Sequence, residues 1–277
     1  PATPLVADSS AALVAQFEAI YAPESAGLLV EIVVTPGDHS DLPTLELNAS
    51  VLASGVLLVG GSAPAHERRL SASSADAITT TATSDAVTLR AKAGQPLLRM
   101  LPGAPRLRVR RLRLRGQVHV SGSHVDFEDC AFEDSHATEG GALAVVDGGV
   151  VEANACNFTR NNATKGGAVL ISNAKAAFAT CHFEENSAID GGSALHVLGT
   201  TGKGVVLKDR TLLVRNSEPS IRRTGGQVSY LLPAPLGRFR DAAGTNRQVL
   251  NDSVAADFPL ACAPGISGAS ILETAQN

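Results

Sequence analysis

Tryptophan is absent from this chain of 277 residues, which has only 2 tyrosines and 1 methionine. Aromatic residues total 4%, so the core cannot rest on many large rings. Hydrophobic residues nevertheless reach 44%, enough for a narrow bore lined by Val, Leu, Ile and Ala. No apolar run reaches the roughly 18 residues that a membrane-spanning helix needs, so no membrane span is expected. Basic residues do not dominate. Lys and Arg number 23 against 27 Asp and Glu, a net charge of −4, and nucleic acid is not an expected partner. Amphipathic segments of 3.6-residue period are scarce, which excludes a helical repeat. Cysteines number 4 and stand singly with no C-x2-C pair, the wrong spacing for zinc. A signal peptide is lacking too. The chain starts at Pro1 and is read as a processed or partial piece, so that lack excludes nothing about secretion.

What the chain does have is a repeat. Cys130-Ala-Phe-Glu-Asp-Ser-His-Ala-Thr-Glu-Gly-Gly-Ala, Cys156-Asn-Phe-Thr-Arg-Asn-Asn-Ala-Thr-Lys-Gly-Gly-Ala and Cys181-His-Phe-Glu-Glu-Asn-Ser-Ala-Ile-Asp-Gly-Gly-Ser share the pattern C-x-F-x2-[SN]-x-A-x2-G-G-[AS], at a period of 26 and then 25 residues. A fixed period in this range marks a solenoid. Apolar residues alternate inside each unit: Cys156 pairs in phase with Phe158, and Val169 with Ile171. That is strand periodicity. Gly-Gly pairs and Asn or Ser between the strands supply tight turns. The expected fold is all-β, a right-handed parallel β-helix with a short N-terminal capping helix and an irregular C-terminal tail. Each coil rises by roughly 4.8 Å, so equivalent residues stack. Cys130, Cys156 and Cys181 are expected to form one inward ladder, and Phe132, Phe158 and Phe183 another. Ser135, Asn161 and Asn186 are expected to form a third at a bend, where amides bond along the stack.

The F-x2-N-x-A-x2-G-G-A core resembles the repeat of polymorphic outer-membrane proteins and related right-handed parallel β-helices of the pectin-lyase-like superfamily. The likeness covers about 70 residues, from Cys130 to Val197. A second stretch, Val228-Ser-Tyr-Leu-Leu-Pro-Ala-Pro-Leu-Gly-Arg with Asp257-Phe-Pro-Leu-Ala-Cys-Ala-Pro-Gly-Ile-Ser-Gly, is similar to a segment that follows such β-helices in large algal surface proteins. There it leads into ephrin-receptor-like, cysteine-rich modules. These resemblances imply an architecture and an extracellular, cell-surface setting. They assign no catalytic residue, cofactor or metal.

The expected organisation is a cap over residues 1–27, a β-helix over 28–232 and a Pro-rich tail or linker over 233–277. Ser9 or Ser10 can cap a helix through Tyr21, with Leu13, Val14, Phe17 and Ile20 on one stripe that plugs the first coil. Leu28 to Val34, Leu45 to Leu47, Val56 to Val59, Ala86 to Arg90 and Leu97 to Leu101 read as strands, and Thr35-Pro-Gly-Asp as a turn. Ser62 to Ser84 reads as an outward loop or weakly formed coil. Lys203 to Leu232 reads as a degenerate last coil, with Asn216 and Gly225-Gly226 echoing the motif.

Four sequons, at Asn48, Asn157, Asn162 and Asn251, are candidate glycosylation sites. Asn157 lies between inward Cys156 and inward Phe158 and must face solvent. The cysteine ladder reads as buried reduced thiols, with a disulfide between two of the three as the alternative. Cys262 stands alone. Arg106, Arg108, Arg110, Arg111, Arg113 and Arg115 line the outside of one coil, with a parity shift at Arg110-Arg111 that marks a bend. One reading is a solvated face neutralised by Asp126, Glu128, Asp129, Glu133, Asp134 and Glu152 on neighbouring coils. The other is a docking strip for an anionic polysaccharide. No catalytic constellation stands out, because the histidines and acidic pairs are scattered over the repeat positions. The expected function is a non-enzymatic structural or adhesive domain of a surface glycoprotein, with other surface or filament proteins, or copies of itself, as partners. The alternative is a carbohydrate-binding or carbohydrate-processing β-helix.

Overall fold

The computed structural model describes residues 4–61, 86–231 and 247–248. It is an all-β parallel solenoid of about 8 turns. Three stacks of parallel strands run along it. Sheet 1 contains Leu29–Val34, Gly55–Gly60, Arg106–Arg110, His124–Glu128, Val150–Asn154 and Lys175–Ala179, paired in that order. Sheet 2 is 7-stranded and runs from Gly37–Leu42 through Ala131–Glu133, Asn157–Thr159 and His182–Glu184 to Leu212–Val214. Sheet 3 runs from Leu45–Leu47 through Val118–Ser121, Leu143–Val146 and Val169–Ser172. Leu195–Lys208 and Ile221–Leu231 each cross a corner, so they serve sheet 3 with their first half and sheet 1 with their second. A short 3-stranded sheet of His136–Glu139, Asn162–Lys165 and Ser187–Ala188 fills the edge between sheets 2 and 3.

Period-2 alternation decides what enters the bore. On sheet 1, Val56, Leu107, Val125, Val151, Ala176, Val205 and Val228 form one continuous inward column. On sheet 3, Leu45, Leu98, Val118, Leu143, Val169, Leu195 and Ile221 form another. All of these side chains are buried. Five phenylalanines pack at the sheet 1–sheet 2 corner of the bore. Phe132, Phe158 and Phe183 stack with centroids 4.5 and 4.6 Å apart, which is the strand spacing itself. Phe127 meets Phe132 edge-on, and Phe178 meets Phe158 and Phe183 edge-on, at 5.0, 5.7 and 5.2 Å.

The N-terminal end is closed by a helix. It spans Ser10–Ala19, and its N-cap Ser9 accepts a hydrogen bond from the Ala12 amide at 3.2 Å. Leu13, Phe17 and Ile20 are buried against the first coil. The hydroxyl of Tyr21 donates to the Glu46 carbonyl at 2.9 Å. Among the strands that the sequence reading does not name, two lie in the first coil. Leu5–Ala7 adds to the edge of sheet 1 before the helix, and Gly37–Leu42 occupies part of what reads as a turn. Only three residues long or largely polar, neither shows a full alternating pattern. The Ser62 to Ser84 segment, Cys262, Asn251 and nearly all of the tail after residue 232 lie outside the described residues.

Candidate functional site

The side chains singled out by the repeat fall into two groups, one facing the bore and one facing solvent. Cys130, Cys156 and Cys181 face inward, 2%, 0% and 0% exposed, and are free thiols. Each thiol donates to a carbonyl two residues back, of Glu128, Asn154 and Ala179, at 3.3–3.4 Å. Burial pushes the Cys130 and Cys156 thiols well above the usual range, so both are protonated. Of the two readings of this ladder, the described structure contains the reduced one. Above Cys181 the position passes to Thr211, whose hydroxyl accepts from the Cys181 amide at 3.2 Å. Sequence comparison with the three cysteine repeats does not pick out Thr211, because the residue type changes while the position persists.

The Asn ladder is a hydrogen-bond chain. Asn161 Nδ2 donates to the Phe132 carbonyl and to Asn186 Oδ1, both at 3.0 Å. Asn186 Nδ2 repeats this with Phe158 and Asn216, both at 2.9 Å. Asn216 Nδ2 ends the series on the Phe183 carbonyl at 2.9 Å. Ser135 takes the ladder down one coil, accepting from the Gly116 amide at 2.9 Å. Every buried amide in this stack is therefore satisfied by a neighbour.

Two details differ from the motif alignment. Gly140, Gly166 and Gly192 share the glycine corner at φ 65°, 64° and 69°, so Gly191 is an insertion in the third unit. Ala188 aligns with Ala163 but Leu195 with Val169, which places one extra residue between them. The bulge leaves Ile189 81% exposed. Gly225-Gly226 does not belong to this corner at all. Gly225 pairs with Gly199 inside the sheet 3 to sheet 1 crossing.

The arginines divide over two faces. Arg106, Arg108 and Arg110 stand outward on sheet 1, whereas Arg113 and Arg115 stand outward on sheet 2. Arg111 forms the corner between them at φ 54°. Arg106 grips Asp126 with two nitrogens at 2.6 and 2.7 Å. Arg108 reaches Asp126 at 3.5 Å, Arg110 reaches Glu128 at 2.8 Å, and Arg113 and Arg115 share Glu133 at 3.3 Å each. Arg106 also lies 3.6 Å from Glu152, two coils up. Asp129 makes no ion pair among the described residues. Arg111 likewise has no carboxylate partner there. The hydrogen bond from Arg160 holds the Asp134 carboxyl below its usual range despite partial burial, in a corner row that continues to Glu185 and Arg215.

Among the described residues, one group of three donors could face a cation: His124, Asp126 and Glu152, within 4.8 Å of one another. The Arg106 guanidinium already sits on both carboxylates, so this group fits an ion-pair lattice better than a metal centre. The outer face of sheet 1 forms an open trough of about 390 Å³, lined by Arg106, Arg108, Arg110, Glu152, Ala177 and Lys208. Its acids Asp126, Glu128 and Glu152 are all paired with arginine. Of the histidines among the described residues, only His124 stands on that face, 3.2 Å from Asp126. His119 and His196 stand on the outer column of sheet 3, with Ala144 and Leu170 between them, and His182 on sheet 2. Burial, reinforced by Arg99, Arg215 and Arg222 respectively, lowers the pKa of His119, His182 and His196.

The sequons differ in setting. Asn157 and Asn162 are exposed. Asn48 is half-buried, and its Oδ1 accepts from the Ser50 amide at 2.8 Å. No helix among the described residues is long and apolar enough to cross a membrane. Compared with protein-family models, with curated proteins and with solved structures, the chain gives no match in any of the three.

Proposed function

We propose that this chain is a non-enzymatic structural or adhesive element of an extracellular surface protein, a stiff rod that helps build a coat, an appendage or a cell contact. The observation that carries this reading is the stapling of successive coils, inside by the asparagine and phenylalanine ladders and outside by arginine–carboxylate pairs. Such a body resists bending and offers flat lateral faces to neighbours. Its partners on this reading are other surface or filament proteins or further copies of the same chain. The motif likeness to polymorphic outer-membrane repeats and to pectin-lyase-like β-helices supports the same setting, as do the exposed sequons. No cofactor enters.

The trough on sheet 1 favours a second reading, carbohydrate binding, in which a polymer bearing carboxylates or sulfates meets Arg108, Arg110 and Lys208. Both readings meet one pair of experiments. Cross-linking mass spectrometry on intact source cells is expected to join this chain to surface proteins or to itself. Incubation with pectate and alginate is expected to give no chain cleavage and no unsaturated product. Turnover of either polymer would overturn the structural reading in favour of an enzyme.

A further inference from the structure

The corner between sheet 2 and the short sheet carries an arrangement that the rod alone does not require. Its asparagines divide by burial. Asn161, Asn186 and Asn216 are 0%, 1% and 4% exposed, and each satisfies backbone groups inside the fold. None of the three begins an acceptor sequence, because the residue two positions on is Ala163, Ala188 or Glu218. Asn157 and Asn162 flank Asn161 in the chain and point the other way. Both are exposed and both begin a complete sequon, Asn157-Phe-Thr159 and Asn162-Ala-Thr164. Neither side-chain amide has a hydrogen-bond partner among the described residues. The stacking neighbours are modest in size: Ala131 and His182 beside Asn157, His136 and Ser187 beside Asn162. Space above both amides is open to solvent.

From this division we infer that Asn157 and Asn162 both carry N-linked glycans, an inference that rests on the extracellular reading. The donor class is a lipid-pyrophosphate-linked oligosaccharide. The amide nitrogen Nδ2 attacks the anomeric carbon, an N–C bond forms, the C–O bond to pyrophosphate breaks, and the amide proton is released as the lipid pyrophosphate departs. Transfer at either site leaves the fold intact, since no core amide is consumed. Transfer at Asn161 would block the ladder. The two glycans emerge from one coil on either side of Arg160 and leave the outer face of sheet 1 bare.

The test is glycopeptide mass spectrometry on the full protein isolated from its source, with cell fractionation of the same material. Hexosamine-bearing peptides are expected at both Asn157 and Asn162. Full-length Asn157→Gln and Asn162→Gln chains secreted from a eukaryotic host are each expected to lose the mass of one glycan and to keep the wild-type melting temperature. Extracellular protein in which either asparagine is unmodified overturns the paired-glycan inference and leaves the surface reading standing. Protein confined to the cell interior overturns the surface reading itself, and the glycans with it.

Discussion

Asn186 concentrates the logic of the repeat in one side chain. Its Nδ2 donates to the Phe158 carbonyl and to Asn216 Oδ1, and its Oδ1 accepts from the amide and the side chain of Asn161. Replacing it with Leu strands several buried polar groups, at about 1–3 kcal/mol for each. Asn186→Leu is therefore expected to cost at least as much as Phe158→Ala, which removes a ring stacked on both sides and costs about 3–5 kcal/mol. Urea unfolding of both variants checks this. An Asn186→Leu midpoint close to wild type would mean the amide chain contributes nothing net. Strain points the other way at Thr180, a β-branched, exposed residue held at φ 54°. Thr180→Gly relieves that conformation and is expected to stabilise by roughly 0.5–1 kcal/mol, after the extra unfolded-chain entropy of glycine is subtracted. Gly166→Val is the opposite case: φ is 64° and a Cβ would meet the Val169 carbonyl oxygen at 2.4 Å.

At the scale of strands and corners, the legible parts are those where residue type repeats with position. The Cys, Phe and Asn ladders recur in three units with little change, and the structure stacks them in register. Where a position persists but its residue changes, sequence comparison loses it: Leu114 continues the phenylalanine column and Thr211 the cysteine column. The corners hide for the same reason. Arg111, Asp129, Ala155 and Thr180 all adopt φ between 52° and 54° at one corner, yet they share no side-chain chemistry. The outward column of sheet 3 was equally opaque, because only the fold places His119 and His196 on one line. That column has a consequence in acid. His196 is 3% exposed and faces Leu170, Arg222 and Thr224 across the sheet, with Lys165, Asp190 and Glu139 close enough to act on its charge. Burial lowers its pKa in the folded state, so the unfolded chain takes up the proton first. Its contribution to stability is full above the ordinary histidine pKa of about 6.5 and is lost as pH falls below it. The melting temperature is expected to drop between neutral pH and about pH 5, and His196→Leu to flatten that drop. A variant that melts in parallel with wild type across this range would assign the acid lability to His119 and His182.

For the molecule as a whole, the open matter is what the arginine coil does, because the same six residues suit a staple and a docking strip. Geometry separates the two by measurable signatures. The side chains of Arg106, Arg108 and Arg110 are 44–50% exposed, so each pair contributes only about 0–1 kcal/mol and is screened by salt. As staples, they would make wild-type stability fall modestly as ionic strength rises. Replacing Arg108, Arg110 and Arg113 with Ser would then lower the melting temperature at low salt and reduce its salt dependence, while Arg106, Arg115 and Arg160 keep their pairs. As a docking strip, the same triple replacement would leave melting unchanged and abolish a salt-sensitive affinity for a sulfated or carboxylated polymer. The division of the row between sheets 1 and 2, with Arg106, Arg108, Arg110, Arg113 and Arg115 each paired to a carboxylate of the next coil, favours the staple. A polymer lying on one face could engage three of these guanidiniums at once but not all six. The expected result is a melting temperature with a reduced salt dependence, and polymer binding weak in both proteins. Strong binding by wild type that vanishes in the variant, at equal stability, would instead make sheet 1 a polysaccharide surface.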